Sequence, residues 1–113
     1  MGRQEELIET YAADLRDRCG MEPDLDLLAK VTAGCGPSIY DDDAAVVSSS
    51  DTEELNRVRE SFLMGKLGLE DSESLMGAIQ EAIRTYGREN PRKYRAVIYY
   101  MLTKRFGREE VYN

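Results

Sequence analysis

The apolar positions of the chain fall into runs of helical period, and glycine separates the runs. Leu7, Ile8, Tyr11, Leu15 and Cys19 recur mostly four apart, which predicts one buried stripe along a helix over about 4–19. Glu5, Glu6 and Glu9 stand in its first turns and Arg16 and Arg18 in its last, the placement a helix dipole favours. Gly20 suits the left-handed position just past that helix, and Met21 the apolar residue that folds back over it. Asp24 then reads as the N-cap of a short helix over about 25–32, burying Leu25, Leu28 and Val31. The stretch Ala33-Gly34-Cys35-Gly36-Pro37 breaks regular structure. Over 38–50 the pattern does not choose, because the apolar run Ala44 to Val47 fits a helical turn or a short strand equally well.

A third helix begins at Ser50 or Asp51. Ser50 with Glu53, and more loosely Asp51 with Glu54, have capping-box spacing. It runs to about Leu67, with Leu55, Val58 and Phe62 inward and Leu63 a further candidate, and Gly68 closes it. A fourth helix over about 72–86 turns Leu75, Met76, Ile79, Ala82, Ile83 and Tyr86 to the core. The last is expected to start with Asn90 as N-cap and Pro91 at the first helical position, and to end near Phe106 before Gly107. On a 100° wheel Tyr94, Val97, Ile98, Met101 and Leu102 share one face, and the opposite side, Ala96, Tyr99, Tyr100 and Thr103, carries no charge either. A helix apolar nearly all round belongs at the centre of its domain. No strand and no internal repeat emerge. The expected fold is all-α: one domain over 1–113, a bundle of four to five helices with the C-terminal helix central.

The 113 residues are one domain's worth, and 42% hydrophobic against 33% charged residues describes a folded globule rather than an acidic tail. Histidine is absent, which removes His-based triads, imidazole acid–base chemistry and His zinc sites. Two cysteines, Cys19 and Cys35, are too few for the disulfide framework of a small secreted protein and read as small apolar packing residues. The opening residues have no apolar signal core, Gly2 lacks the Ser or Thr at position 6 that myristoylation wants, and no run approaches a membrane span. A cytoplasmic protein with reduced thiols and no membrane association is expected.

Charge is unevenly distributed. The net charge is −7, yet residues 88–108 hold 7 Lys/Arg and a single acid, Glu89, while residues 1–87 hold 8 Lys/Arg against 19 Asp/Glu. Arg88, Arg92, Lys93 and Arg95 crowd the expected start of the last helix, where the dipole already places positive charge, so something must offset them. Acids of the same chain, acids of a partner or second copy, and a phosphate-bearing ligand or nucleic acid are the three answers. With Lys104 and Arg105 these residues define a candidate binding set, Arg88, Arg92, Lys93, Arg95, Lys104 and Arg105. Tyr94, Tyr99 and Tyr100 interleave with them as stacking residues would, but in so apolar a segment they read as core. The overall acidity and the lack of any known nucleic-acid-binding pattern weigh against nucleic acid.

The contiguous triplet Asp41, Asp42 and Asp43 is a candidate divalent-cation site, since adjacent carboxylates attract such ions. It lacks the alternating spacing, central glycine and terminal glutamate of a calcium loop, and a solvated capping turn is the favoured reading. Ser48 to Ser50 and the cysteines have no histidine to activate them, and no motif brings Lys30 or Lys66 to the serines, so no catalytic residue is assigned. The Gly34–Pro37 stretch lacks the Lys-Ser/Thr sequel of a phosphate loop. No cofactor is expected.

Three segments carry a family resemblance: Cys35-Gly36-Pro37-Ser38-Ile39-Tyr40, Ser48-Ser49-Ser50-Asp51, and Lys93-Tyr94-Arg95-Ala96-Val97-Ile98-Tyr99-Tyr100. With the opening Glu-Glu-Leu-Ile-Glu and the closing Arg-Phe-Gly-Arg-Glu, the chain resembles a small bacterial family known as domain of unknown function 2853. The resemblance implies a short bacterial cytoplasmic protein with a helical fold, and brings no activity, cofactor or catalytic residue. The expected role is non-catalytic: a module that binds another protein or a second copy of itself. The alternatives are weak binding of nucleic acid or a phosphorylated ligand through the basic set, and a cation at the aspartate triplet.

Overall fold

The computed structural model describes residues 2–113. Helix α1 spans Arg3–Asp17 and buries Tyr11, Ala12 and Leu15. Gly20 takes φ 67° past its end, and the Met21 amide donates back to the Leu15 carbonyl at 2.8 Å, the closure expected of that glycine. Helix α2, Leu25–Gly34, starts where Asp24 caps it, its carboxylate accepting from the Leu27 amide. The residues it buries are Leu27, Leu28, Val31 and Thr32, not Leu25. Leu25, at the first helical position, is 53% exposed, a departure from its expected burial. A 3-10 turn, Gly36–Tyr40, follows α2 and seats Ile39 in the interior.

Helix α3, Thr52–Arg57, is capped by Asp51, whose carboxylate accepts from the amides of Glu53 at 3.0 Å and Glu54 at 3.3 Å. The chain then continues without a break as a π-helix over Val58–Lys66. This wider turn was not read from the sequence, and the apolar spacing explains it. Val58, Phe62, Leu63 and Leu67 are four and five apart. On an α-helical wheel Leu67 would lie about 180° from Val58, whereas a helix closing its bonds five residues back puts all four on one side. Phe62 is 4% exposed, Leu67 1%, and Val58 and Leu63 fully covered. The Leu67 amide donates to the Phe62 carbonyl five residues back. Helix α4, Glu73–Tyr86, turns Leu75, Ala78, Ile79, Ala82, Ile83 and Tyr86 inward.

Helix α5, Arg95–Phe106, begins later than the Asn90-Pro91 pair predicts. The intervening backbone is held elsewhere. Tyr94 forms an antiparallel bridge with Val46, the Val47 amide donates to the Lys93 carbonyl, and the Arg95 amide donates to the Ala45 carbonyl, both at 2.8 Å. The ambiguous run is thus divided: Ala44 and Ala45 end a turn, the Ala45 amide donating to the Asp41 carbonyl at 2.8 Å, and the single bridge at Val46 displaces the first turn of the expected helix. Asn90 still turns the chain, its side-chain oxygen accepting from the Arg92 amide at 3.1 Å, but it caps no helix. Ala96, Val97, Ile98, Tyr100, Met101, Leu102 and Thr103 are all buried, and Tyr99 stacks on Phe62 with ring centroids 3.8 Å apart. Helices α1, α2 and α4 pack against α5, so the bundle is all-α with the last long helix at its hub. A 3-10 turn, Glu109–Tyr112, returns along α2. Among the described residues no helix is long and apolar enough to cross a membrane.

Candidate functional site

The structure scatters the basic set. Arg95 is a half-buried clamp: its guanidinium donates to the Ala44 carbonyl at 2.9 Å, to the Val46 carbonyl and to the Tyr99 hydroxyl, and pairs with the Glu54 carboxylate. Glu54, also buried, accepts from Arg57 at 2.9 Å as well. Lys93 is 5% exposed, and its ammonium donates to the main-chain carbonyls of Arg88 and Asn90. Burial, with Arg88 nearby, pulls its pKa below the ordinary lysine range. Arg92 is half exposed, donating to the Tyr94 hydroxyl at 3.3 Å with Asp42 at 3.9 Å, and Arg88 reaches Gln80. Lys104 pairs with Glu109 at 3.5 Å and Arg105 with Glu81 at 2.7 Å, at the far end of α5, about 15 Å along the helix from Arg95. The offsetting acids thus include several from the chain itself.

The aspartate triplet forms a capping turn. Asp41 accepts from the amides of Asp43 at 2.9 Å and Ala44 at 3.3 Å, while Asp42 and Asp43 face solvent. Among the described residues no group of three or more carboxylate or thiol side chains is gathered as metal ligands. Cys19 and Cys35 are both free thiols, and burial pushes each up to about 11. The serine run bonds within itself, Ser48 to Ser50 at 3.5 Å, while Lys30 pairs with Asp26 and Lys66 lies over the Tyr112 ring.

Two concave features escaped the sequence reading because each joins segments distant along the chain. The first is an apolar groove of about 430 Å³ between α4 and α5. Ala78, Ala82, Met101, Leu102 and Met21 line it, and the Glu81–Arg105 pair and Lys104 edge it. The signal in the sequence was Ala78 and Ala82, small residues one turn apart that leave room between two helices. The second is a polar cleft of about 580 Å³ between α1 and the connection from α4 to α5. Thr10, Asp14 and Arg18, spaced four apart, form one wall, and Tyr86, Asn90, Arg92 and Tyr94 belong to the other. The Tyr86 hydroxyl donates to the Asp14 carboxylate and accepts from the Tyr94 amide at 3.3 Å. Burial and that carboxylate push the tyrosine pKa far above its ordinary value. Arg18 is 3.7 Å from Asp14.

No protein of the curated set matches the chain. A family model described as protein of unknown function (DUF2853) covers residues 10–110 of the 113, and the chain belongs to that family.

Proposed function

We propose that this protein is a non-catalytic cytoplasmic module that associates with further copies of itself, the α4–α5 groove of one copy receiving the start of α1 of the next. The apolar groove carries the reading. Its methionine-rich lining adapts to an inserted side chain. The charges at the two surfaces are complementary: Lys104 and Arg105 line the groove against the single acid Glu81, while Glu5, Glu6 and Glu9 on α1 are exposed and make no side-chain ion pair among the described residues. Leu7 and Ile8, between those acids, are only partly covered by their own core. Two protonated thiols and a serine run bonded to itself support a role without chemistry.

A contact of this kind joins unlike surfaces, so it generates rings or chains rather than a two-fold dimer. Sedimentation at roughly 0.1 mM protein tests it. Larger species are expected at low salt, shrinking as salt screens the charges, and lost on combining Glu5→Lys with Glu6→Lys or on filling the groove by Thr85→Trp, Thr85 being a further lining residue. A monomer at every salt concentration, or assemblies indifferent to these variants, overturns the proposal.

A further inference from the structure

We infer that the polar cleft between α1 and the Tyr86–Tyr94 segment is a binding site for a phosphate monoester, held between Arg18 and Arg92. The groups around it offer more donors than the protein uses. Arg18 has one acid nearby, Asp14 at 3.7 Å, and that carboxylate already accepts from Tyr86. Arg92 has Asp42 at 3.9 Å, an aspartate almost wholly in water, and among the described residues its side chain otherwise donates only to the Tyr94 hydroxyl. Both guanidinia are about half exposed, 55% and 52%, so neither is committed to the interior. In the same wall the side-chain nitrogen of Asn90 is buried with no partner among the described residues. A buried donor left without an acceptor carries a desolvation cost that an incoming acceptor relieves.

The electrostatics point the same way. The Lys93 ammonium lies behind this wall, bonded to the carbonyls of Arg88 and Asn90, and forms no carboxylate pair among the described residues. Within the cleft Arg18 and Arg92 balance Asp14 and Glu89, and the buried Lys93 ammonium adds a positive charge beside them. Two guanidinia from opposite walls suit a tetrahedral dianion, which presents oxygens in several directions, better than a planar carboxylate that one arginine satisfies alone. The cleft, at about 580 Å³, exceeds a bare phosphate, and Pro91 and the Tyr94 ring give the ester's organic part an apolar wall. This site is separate from the α4–α5 groove and stands or falls without it.

Titration of the full chain with phenyl phosphate, followed by amide shifts, tests the assignment. Saturable shifts are expected in residues 10–18 and 86–94, with half-saturation in the millimolar range or below. Arg18→Gln and Arg92→Gln should each weaken binding roughly tenfold or more, the loss of one charge-assisted contact, and the double variant should not respond. Both side chains are exposed enough for the variants to keep the wild-type melting temperature, which checks folding. Inorganic phosphate should bind more weakly at the same residues. Benzoate binding as tightly as phenyl phosphate would reject the phosphate assignment. No shift, shifts scattered over the surface, or a double variant that still responds would remove the site.

Discussion

Single residues show where polar groups constrain this fold. Tyr11 is fully buried, its ring against Tyr94, and its hydroxyl has no partner among the described residues. An unmet buried hydroxyl costs stability, so Tyr11→Phe should raise unfolding free energy by about 1 kcal/mol, read as a higher urea midpoint. A lower midpoint would mean that the hydroxyl is bonded after all. The Glu54–Arg95 pair is the opposite case, a buried carboxylate against a half-buried guanidinium that also bonds two carbonyls and the Tyr99 hydroxyl. Glu54→Ala strands the guanidinium and should cost about 3–5 kcal/mol. Replacing Arg95 with Met in the same chain should recover part of that loss, and the double-mutant cycle measures how much. Caps were legible at this scale, since Asp24 and Asp51 act as their patterns promised. Asn90 was not, because its pattern, Asn followed by Pro, is the same whether the next residues enter a helix or pair with a strand. The competing partners, Ala45 and Val47, sit more than 40 residues away, where local chemistry carries no trace of them.

Among the elements, the hub was the most legible and the π-helix the least. A segment without charge on any side has only one comfortable position, and α5 takes it. Ile98, fully covered, should lose about 2–5 kcal/mol on replacement by Ala. The π-helix was hidden because an α-helical period was assumed for residues that repeat four and five apart. Leu67 separates the two readings. Packed inward by the wider turn and 1% exposed, it should cost about 2–5 kcal/mol as Leu67→Ala. An α-helical continuation would aim it away from Val58, and the substitution would then be nearly neutral. The sites follow the same logic. The six basic residues were visible as a run, but the run crosses a turn, a bridge and a buried helix, which divide it. Arg18 read as a dipole-matched surface charge, and Asp14 beside it in the polar cleft drew no reading because its partner Tyr86 lies 72 residues on.

At the level of the whole molecule, the tyrosines and thiols set how the fold meets alkali. Burial holds Tyr11 up to about 12 and Cys19 and Cys35 up to about 11, from ordinary values of 10.0 and 9.0, and Tyr86, Tyr99 and Tyr112 move in the same direction. Well below pH 9 these groups are protonated in folded and unfolded chains alike and leave stability unchanged. Above it the unfolded chain sheds protons that the folded chain retains, so the unfolded state binds fewer protons and stability falls as pH rises. Lys93 acts in the opposite sense. Its lowered pKa means that the folded chain releases that proton first, which adds stability between its folded value and 10.5. Six groups oppose one, so the urea midpoint should hold from pH 7 to about 9 and then decline steadily toward pH 11. Lys93→Met separates the contributions: it removes the one opposing group, so the alkaline decline should steepen. A midpoint flat to pH 11 in the wild-type chain would show that these hydroxyls and thiols are no harder to ionise in the folded protein than in water.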